Sequence, residues 1–168
     1  MHRPAIFAAV LGLGRAASNI GDHWIQNDHC ARVKGATDAN PVYTPTDNPD
    51  EEPVAHGTAD GTKACAWHCL TYTATQAVAV SVGARVLGIR LRPGAAAAAL
   101  AVSGITHYIA DRRVPGGVLE TLAAKTGKTT FYKLADHGMN GAYALDQAWH
   151  EGWEAVAALI ATTGATAR

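Results

Sequence analysis

Four uncharged stretches run along the chain, each with polar residues gathered at one edge. The first follows Pro4, a residue suited to the first turn of a helix; it runs Ala5 to Gly14, is interrupted by Arg15 and resumes from Ala16 to Ile20. Continued through Gly21 to Cys30, this helix one would set Ser18, Asp22, Gln26 and His29 four, four and three residues apart, on one face. The second stretch, Ala64 to Ala84, holds 21 residues without a charge, a length that matches a bilayer crossing. Arg85, Arg90 and Arg92 then lead to Pro93, where helix three starts; the 18 residues from Gly94 reach their first acid only at Asp111. Helix four takes over near Ala142 and ends at Gly164, with Asp146 and His150 one turn apart before the uncharged run from Ala155 to Ala167.

The connections read differently. Gly35 to Thr62 carries four of the seven prolines, at 41, 45, 49 and 53, together with Asp38, Asp47, Asp50, Glu51, Glu52 and Asp60 and no Lys or Arg. Prolines so spaced exclude a regular helix or a central strand, so residues 35–62 are expected to form a flexible acidic loop. Val118 to Lys125 predicts a short amphipathic helix with Val118, Leu119 and Leu122 on one side, and Thr126 to Asn140 a loop. The expected fold is therefore all-α, an up-down four-helix bundle forming one domain over residues 1–168, with the long loop between helices one and two. Alternation of direction would bring Asp22, His68, His107, Asp111, Asp146 and His150 to the same end.

Composition changes the picture in two respects. Lys plus Arg and Asp plus Glu balance at 14 each, so no global field points to nucleic acid. Alanine supplies much of the 48% hydrophobic fraction, and a mean hydropathy near zero is low for a polytopic membrane protein. The uncharged lengths nevertheless predict transmembrane helices, and the basic, apolar N-terminus is read as an uncleaved helix rather than a signal peptide. Trp24, Trp67, Trp149 and Trp153 gather near the polar end, as an interfacial belt would. Cys30, Cys65 and Cys69 make an odd count without scaffold spacing, so reduced thiols are expected; a soft zinc site from Cys65 and Cys69, which flank His68, with Cys30 or His23 is the weaker alternative to buried thiols in a helix interface.

Imidazole and carboxylate donors on separate helices are what a hard or borderline cation requires. His68, His107, Asp111, Asp146 and His150 are the candidate ligands of a divalent metal, zinc, manganese or magnesium. Asp22 and Gln26 are the candidate catalytic residues, Asp22 orienting a water that the metal acidifies and Gln26, with Gln147, orienting the first. The competing reading of each pair is a capped helix end or a local ion pair on a wet face. His2, His56 and His137 receive no role.

The motifs Gly21-Asp-His-Trp-Ile-Gln26 with Lys34-Gly35, Ala64-Cys-Ala-Trp-His68 with Thr71-Tyr-Thr73, Thr106-His-Tyr-Ile-Ala-Asp-Arg-Arg113 and Gly141-Ala-Tyr-Ala-Leu-Asp-Gln-Ala-Trp-His150 fall in order along most of the chain. In them the chain resembles the bacterial integral-membrane family of unknown function numbered 3307, in its actinobacterial form. The resemblance implies a four-helix membrane protein with polar residues at one end, and related membrane families suggest metal-dependent hydrolysis. Two positions depart from it: Ser18 and Tyr72 stand where many relatives carry His. Placement in the bacterial inner (plasma) membrane follows, with the polar end cytoplasmic because its loops carry eight Lys or Arg against five at the other. The expected function is a metal-dependent hydrolase of a lipid or phosphate ester, in contact with membrane lipid. Two alternatives stand beside it: a non-catalytic membrane protein whose polar cluster locks helix ends and whose acidic loop binds a protein partner, and a soluble helical interaction domain.

Overall fold

Alanine-rich sequence between proline and glycine punctuation makes helices, and helices dominate the computed structural model, which describes residues 3–136 and 139–167. In chain order these are α1 (Arg3–Ile20), a π-helical turn (Gly21–Ile25), α2 (Asp28–Val33), α3 (Thr58–Val86), α4 (Pro93–Asp111), α5 (Val118–Lys125), α6 (Thr129–Tyr132) and α7 (Gly141–Ala161). Three two-stranded antiparallel ribbons accompany them: β1 (Val42–Thr44) with β2 (Val54–His56), β3 (Ile89–Arg90) with β6 (Thr166–Ala167), and β4 (Ala135–Asp136) with β5 (Met139–Asn140).

The four-helix bundle expected from the sequence is corrected by these elements. Among the described residues there are seven α-helices, and the stretches expected as bare loops carry structure: β1 and β2 pair within residues 35–62, and α6 with the β4–β5 ribbon occupies much of 126–140. The transmembrane reading is overturned as well, because among the described residues no helix is long and apolar enough to cross a membrane. Absence of charge is not apolarity. Alanine, glycine, serine and threonine fill the uncharged runs, and each removes far less apolar area from water than leucine or valine. The expectations of spanning helices, of an inner-membrane location and of a cytoplasmic polar end fall together.

Two compact units divide the chain: Met1–Gln26, Cys69–His107 and Gln147–Arg168 form the first, Asn27–His68 and Tyr108–Asp146 the second. In the first unit, Ile6 and Val10 of α1, Ala84 of α3, Ala99 of α4 and Ala157, Ala158 and Ala161 of α7 make the core, joined by Ile89. Small alanines let these helices approach closely. At Gly21 a Cβ would stand 3.2 Å from the Cα of Tyr72, so the π-helical turn meets α3 backbone to backbone.

In the second unit Cys30, Val33, Ala36 and Ala64 are packed together with Val42 against them. Asn27 starts α2 by accepting a 2.7 Å hydrogen bond from the Cys30 backbone. Asp38 and Thr58 exchange hydrogen bonds, 2.8 Å from the Thr58 backbone N–H to Asp38 Oδ1 and 2.9 Å from the Asp38 backbone N–H to Thr58 Oγ1, which joins the acidic stretch to the start of α3. Hydrogen bonds from the Thr58 backbone N–H, first, and from its side chain hold the Asp38 carboxyl below its ordinary range. At Gly141 a Cβ would collide with the carbonyl oxygen of Phe131, so the first residue of α7 has room for a hydrogen only.

A candidate metal centre in buried His and Asp side chains

The candidate ligands lie on α3, α4, α7 and the π-helical turn, and each unit gathers three of them. In the second unit, His68 lies on α3, Asp111 ends α4 and Asp146 lies on α7. All three are at most 1% exposed. His68 Nε2 stands 2.7 Å from Asp111 Oδ2, and ligand atoms of Asp111 lie within 4.8 Å of those of both His68 and Asp146. Two cations that sequence reasoning left without a role complete the cluster. Lys34, itself only 5% exposed, donates from Nζ to Asp111 Oδ2 at 2.7 Å. Arg113 donates to Asp146 Oδ2 at 3.0 Å and reaches to within 3.6 Å of Asp111 Oδ1, so its guanidinium bridges the two carboxylates. Arg112 turns instead to backbone, donating to the carbonyls of Lys34 (2.6 Å) and Ala36 (2.9 Å) and fixing the segment that carries Lys34.

In the first unit, Asp22 sits in the π-helical turn, His107 on α4 and His150 on α7. His107 Nε2 is 3.9 Å from Asp22 Oδ1, and Gln147 Nε2 is 3.4 Å from Asp22 Oδ2. The imidazoles of His107 and His150 lie with centroids 4.3 Å apart, and Tyr72 stacks on His107 at 3.7 Å. Both histidines are buried, at 1% and 8% exposure.

Beside them lies a network that sequence reasoning missed. Tyr72 donates from its hydroxyl to Glu154 Oε1 at 2.6 Å, Gln76 donates to the same oxygen at 2.8 Å, and Ser103 donates to Gln76 Oε1 at 2.7 Å. Ser18 Oγ lies 3.0 Å from the Tyr72 hydroxyl. Burial pushes the Glu154 carboxyl up to about 7, against the lowering influence of Tyr72, His150, Arg15 and Gln76. Burial, with Glu154 close by, drives the Tyr72 hydroxyl upward too. A signal for Glu154 was present: Asp146, His150 and Glu154 are spaced four and four along α7 and share one face.

The continuous face expected for Ser18, Asp22, Gln26 and His29 does not form. α1 ends at Ile20, the π-helical turn ends at Ile25, and Gln26 leaves it with extended ψ at 125°. His29 belongs to α2, where its ring meets that of His56 edge-on at 5.4 Å. His56, given no role from sequence, bonds Thr44 (2.9 Å) and Asp60 (3.1 Å) and so ties β2 to β1 and to α3. Cys30, Cys65 and Cys69 are buried and form no disulfide among the described residues, and burial pushes the Cys30 thiol up, away from the thiolate a soft metal would need. Trp149 and Trp153 pair with centroids 5.7 Å apart, and Trp149 donates to the Thr106 carbonyl at 3.0 Å. His2 and His137 lie outside the described residues.

Buried His and Asp groups of this kind could hold a metal ion. Compared with family models, with curated proteins and with solved structures, the chain matches none of them.

Proposed function

We infer that the protein is a metal-dependent hydrolase of a phosphate ester, with a lipid phosphate ester as one form its substrate takes. The observation that carries this reading is the fully buried Asp111, 2.7 Å from His68 and adjacent to Asp146. Burying two carboxylates and an imidazole without a function is costly. His68, Asp111 and Asp146 in the second unit, and Asp22, His107 and His150 in the first, are the donors for a divalent cation. Mixed imidazole and carboxylate donors suit zinc or manganese better than magnesium. A cation held by either set would supply an acidified water. In the first unit Asp22, 3.4 Å from Gln147, would orient such a water, and in the second unit Lys34 and Arg113, beside Asp111 and Asp146, would counter negative charge there.

One observation favours a second, non-catalytic reading. Lys34 and Arg113 already compensate Asp111 and Asp146, so the cluster satisfies its charges as an ion-pair lock between helix ends. Elemental analysis of purified protein separates the two, together with hydrolysis of p-nitrophenyl phosphate before and after chelation. The hydrolase reading expects bound zinc or manganese that falls at least about tenfold in His68→Ala and in His107→Ala, with turnover lost in parallel. Folded wild-type protein that takes up no divalent metal from an excess supports the lock and sinks the enzyme.

A further inference from the structure

The metal reading leaves Glu154 unused, and Glu154 lines a cavity of about 70 Å³ inside the first unit. Leu11, Val80 and Leu100 contribute to its apolar wall, and Gln76, Ser81, Ser103 and Glu154 are its polar residues. The polar groups are not equivalent. Gln76 Oε1 accepts from Ser103, and Glu154 Oε1 accepts from both Tyr72 and Gln76. Glu154 Oε2 is buried and accepts no hydrogen bond from the described residues, and the residue is only 6% exposed. A buried carboxylate oxygen without a donor is among the more expensive features a fold can carry.

We propose that this cavity is a binding site for a small aliphatic primary amine, its alkyl chain against Leu11, Val80 and Leu100 and its ammonium donating to Glu154 Oε2. The chemistry selects the head group. Oε2 needs a donor, which excludes a carboxylate ligand, and an ammonium adds charge complementarity in a low-dielectric setting where an alcohol adds one neutral hydrogen bond. Apolar walls with a few convergent polar groups are the usual make-up of small-molecule sites, and the cavity volume limits the chain to a few carbons.

The test is titration of butylamine, butanol and butyrate into the full-length protein, followed by amide NMR shifts, with Glu154→Gln and Ala96→Leu as variants. Ala96 also lines the cavity, and leucine there fills it. Butylamine is expected to shift cavity residues and to bind at least about tenfold tighter than butanol, with butyrate weakest. Glu154→Gln should erase the preference for the amine, and Ala96→Leu should abolish binding of both. Equal affinity for amine and alcohol, an unchanged amine affinity in Glu154→Gln, shifts confined to other surfaces, or no binding at all would each overturn the proposal. Should Glu154→Gln not fold, amine binding that survives in Ala96→Leu overturns it alone.

Discussion

The two units bury carboxylates by opposite means. In the second, Asp111 and Asp146 are met by full positive charges, Lys34 at 2.7 Å and Arg113 at 3.0 Å. In the first, Glu154 Oε1 is met by a tyrosine hydroxyl and an amide, and its carboxyl rises to about 7. Ion pairing keeps an acid charged inside a protein; hydrogen bonds from neutral donors only lessen the cost of its charge. Met by neutral donors, the Glu154 carboxyl is poised between two protonation states near neutral pH. In the second unit, removing a charged partner thus takes away more of the compensation than losing one neutral donor does in the first.

Lys34→Met gives the largest expected effect. It leaves Asp111 buried without its ammonium and should cost about 3 to 5 kcal/mol in urea unfolding at neutral pH. A loss below about 1 kcal/mol would mean that His68 and Arg113 compensate the carboxylate without Lys34.

Glu154 contributes the next largest effect, through pH. Its folded value of about 7 stands above the ordinary 4.5, so between those limits the folded protein holds more protons than the unfolded chain. The contribution is complete below about 4.5 and is lost as pH rises toward about 7, a fall on the order of 3 kcal/mol. Glu154→Gln should remove that slope and leave the variant more stable than wild type at pH 8, as denaturant titrations across the range would read. A wild-type curve that rises across this window with an unchanged slope in the variant would contradict the comparison.

Tyr72→Phe is the finest probe. It keeps the stacking on His107 but removes the hydroxyl that donates to Glu154 and meets Ser18, with an expected cost of about 1 to 2 kcal/mol at pH 5. Because that hydrogen bond lowers the Glu154 value, its loss should also move the midpoint of the stability-against-pH curve upward.

Much of the local structure is legible in the residues. Pro93 opens α4 and Asp111 ends it, and α5 occupies the residues at which its amphipathic pattern predicts a helix. The end of helix one was hidden, because four-residue spacing between Asp22 and Gln26 assumes an α-helix and nothing in Gly21-Asp-His-Trp-Ile25 announces a π turn. Ribbons of two or three residues carry too few positions for alternation to show, which is why β1 to β6 were absent from the reading. The bilayer reading failed on alanine, whose lack of charge imitates a spanning segment while its small side chain supplies little reason to leave water. At the site, Asp111 and Asp146 were found by looking for metal ligands, whereas Lys34 was passed over as a loop cation. Its burial depends on Arg112 holding the carbonyls of Lys34 and Ala36, contacts across more than seventy positions that no local pattern encodes.

The crowding at Gly141 reaches beyond packing. With the Phe131 oxygen seated where a methyl would go, a library randomised at this codon and screened for folding should return a single letter. Since α7 carries Asp146 and His150 only five and nine positions further on, the register of two of the six candidate donors is set by a hydrogen atom.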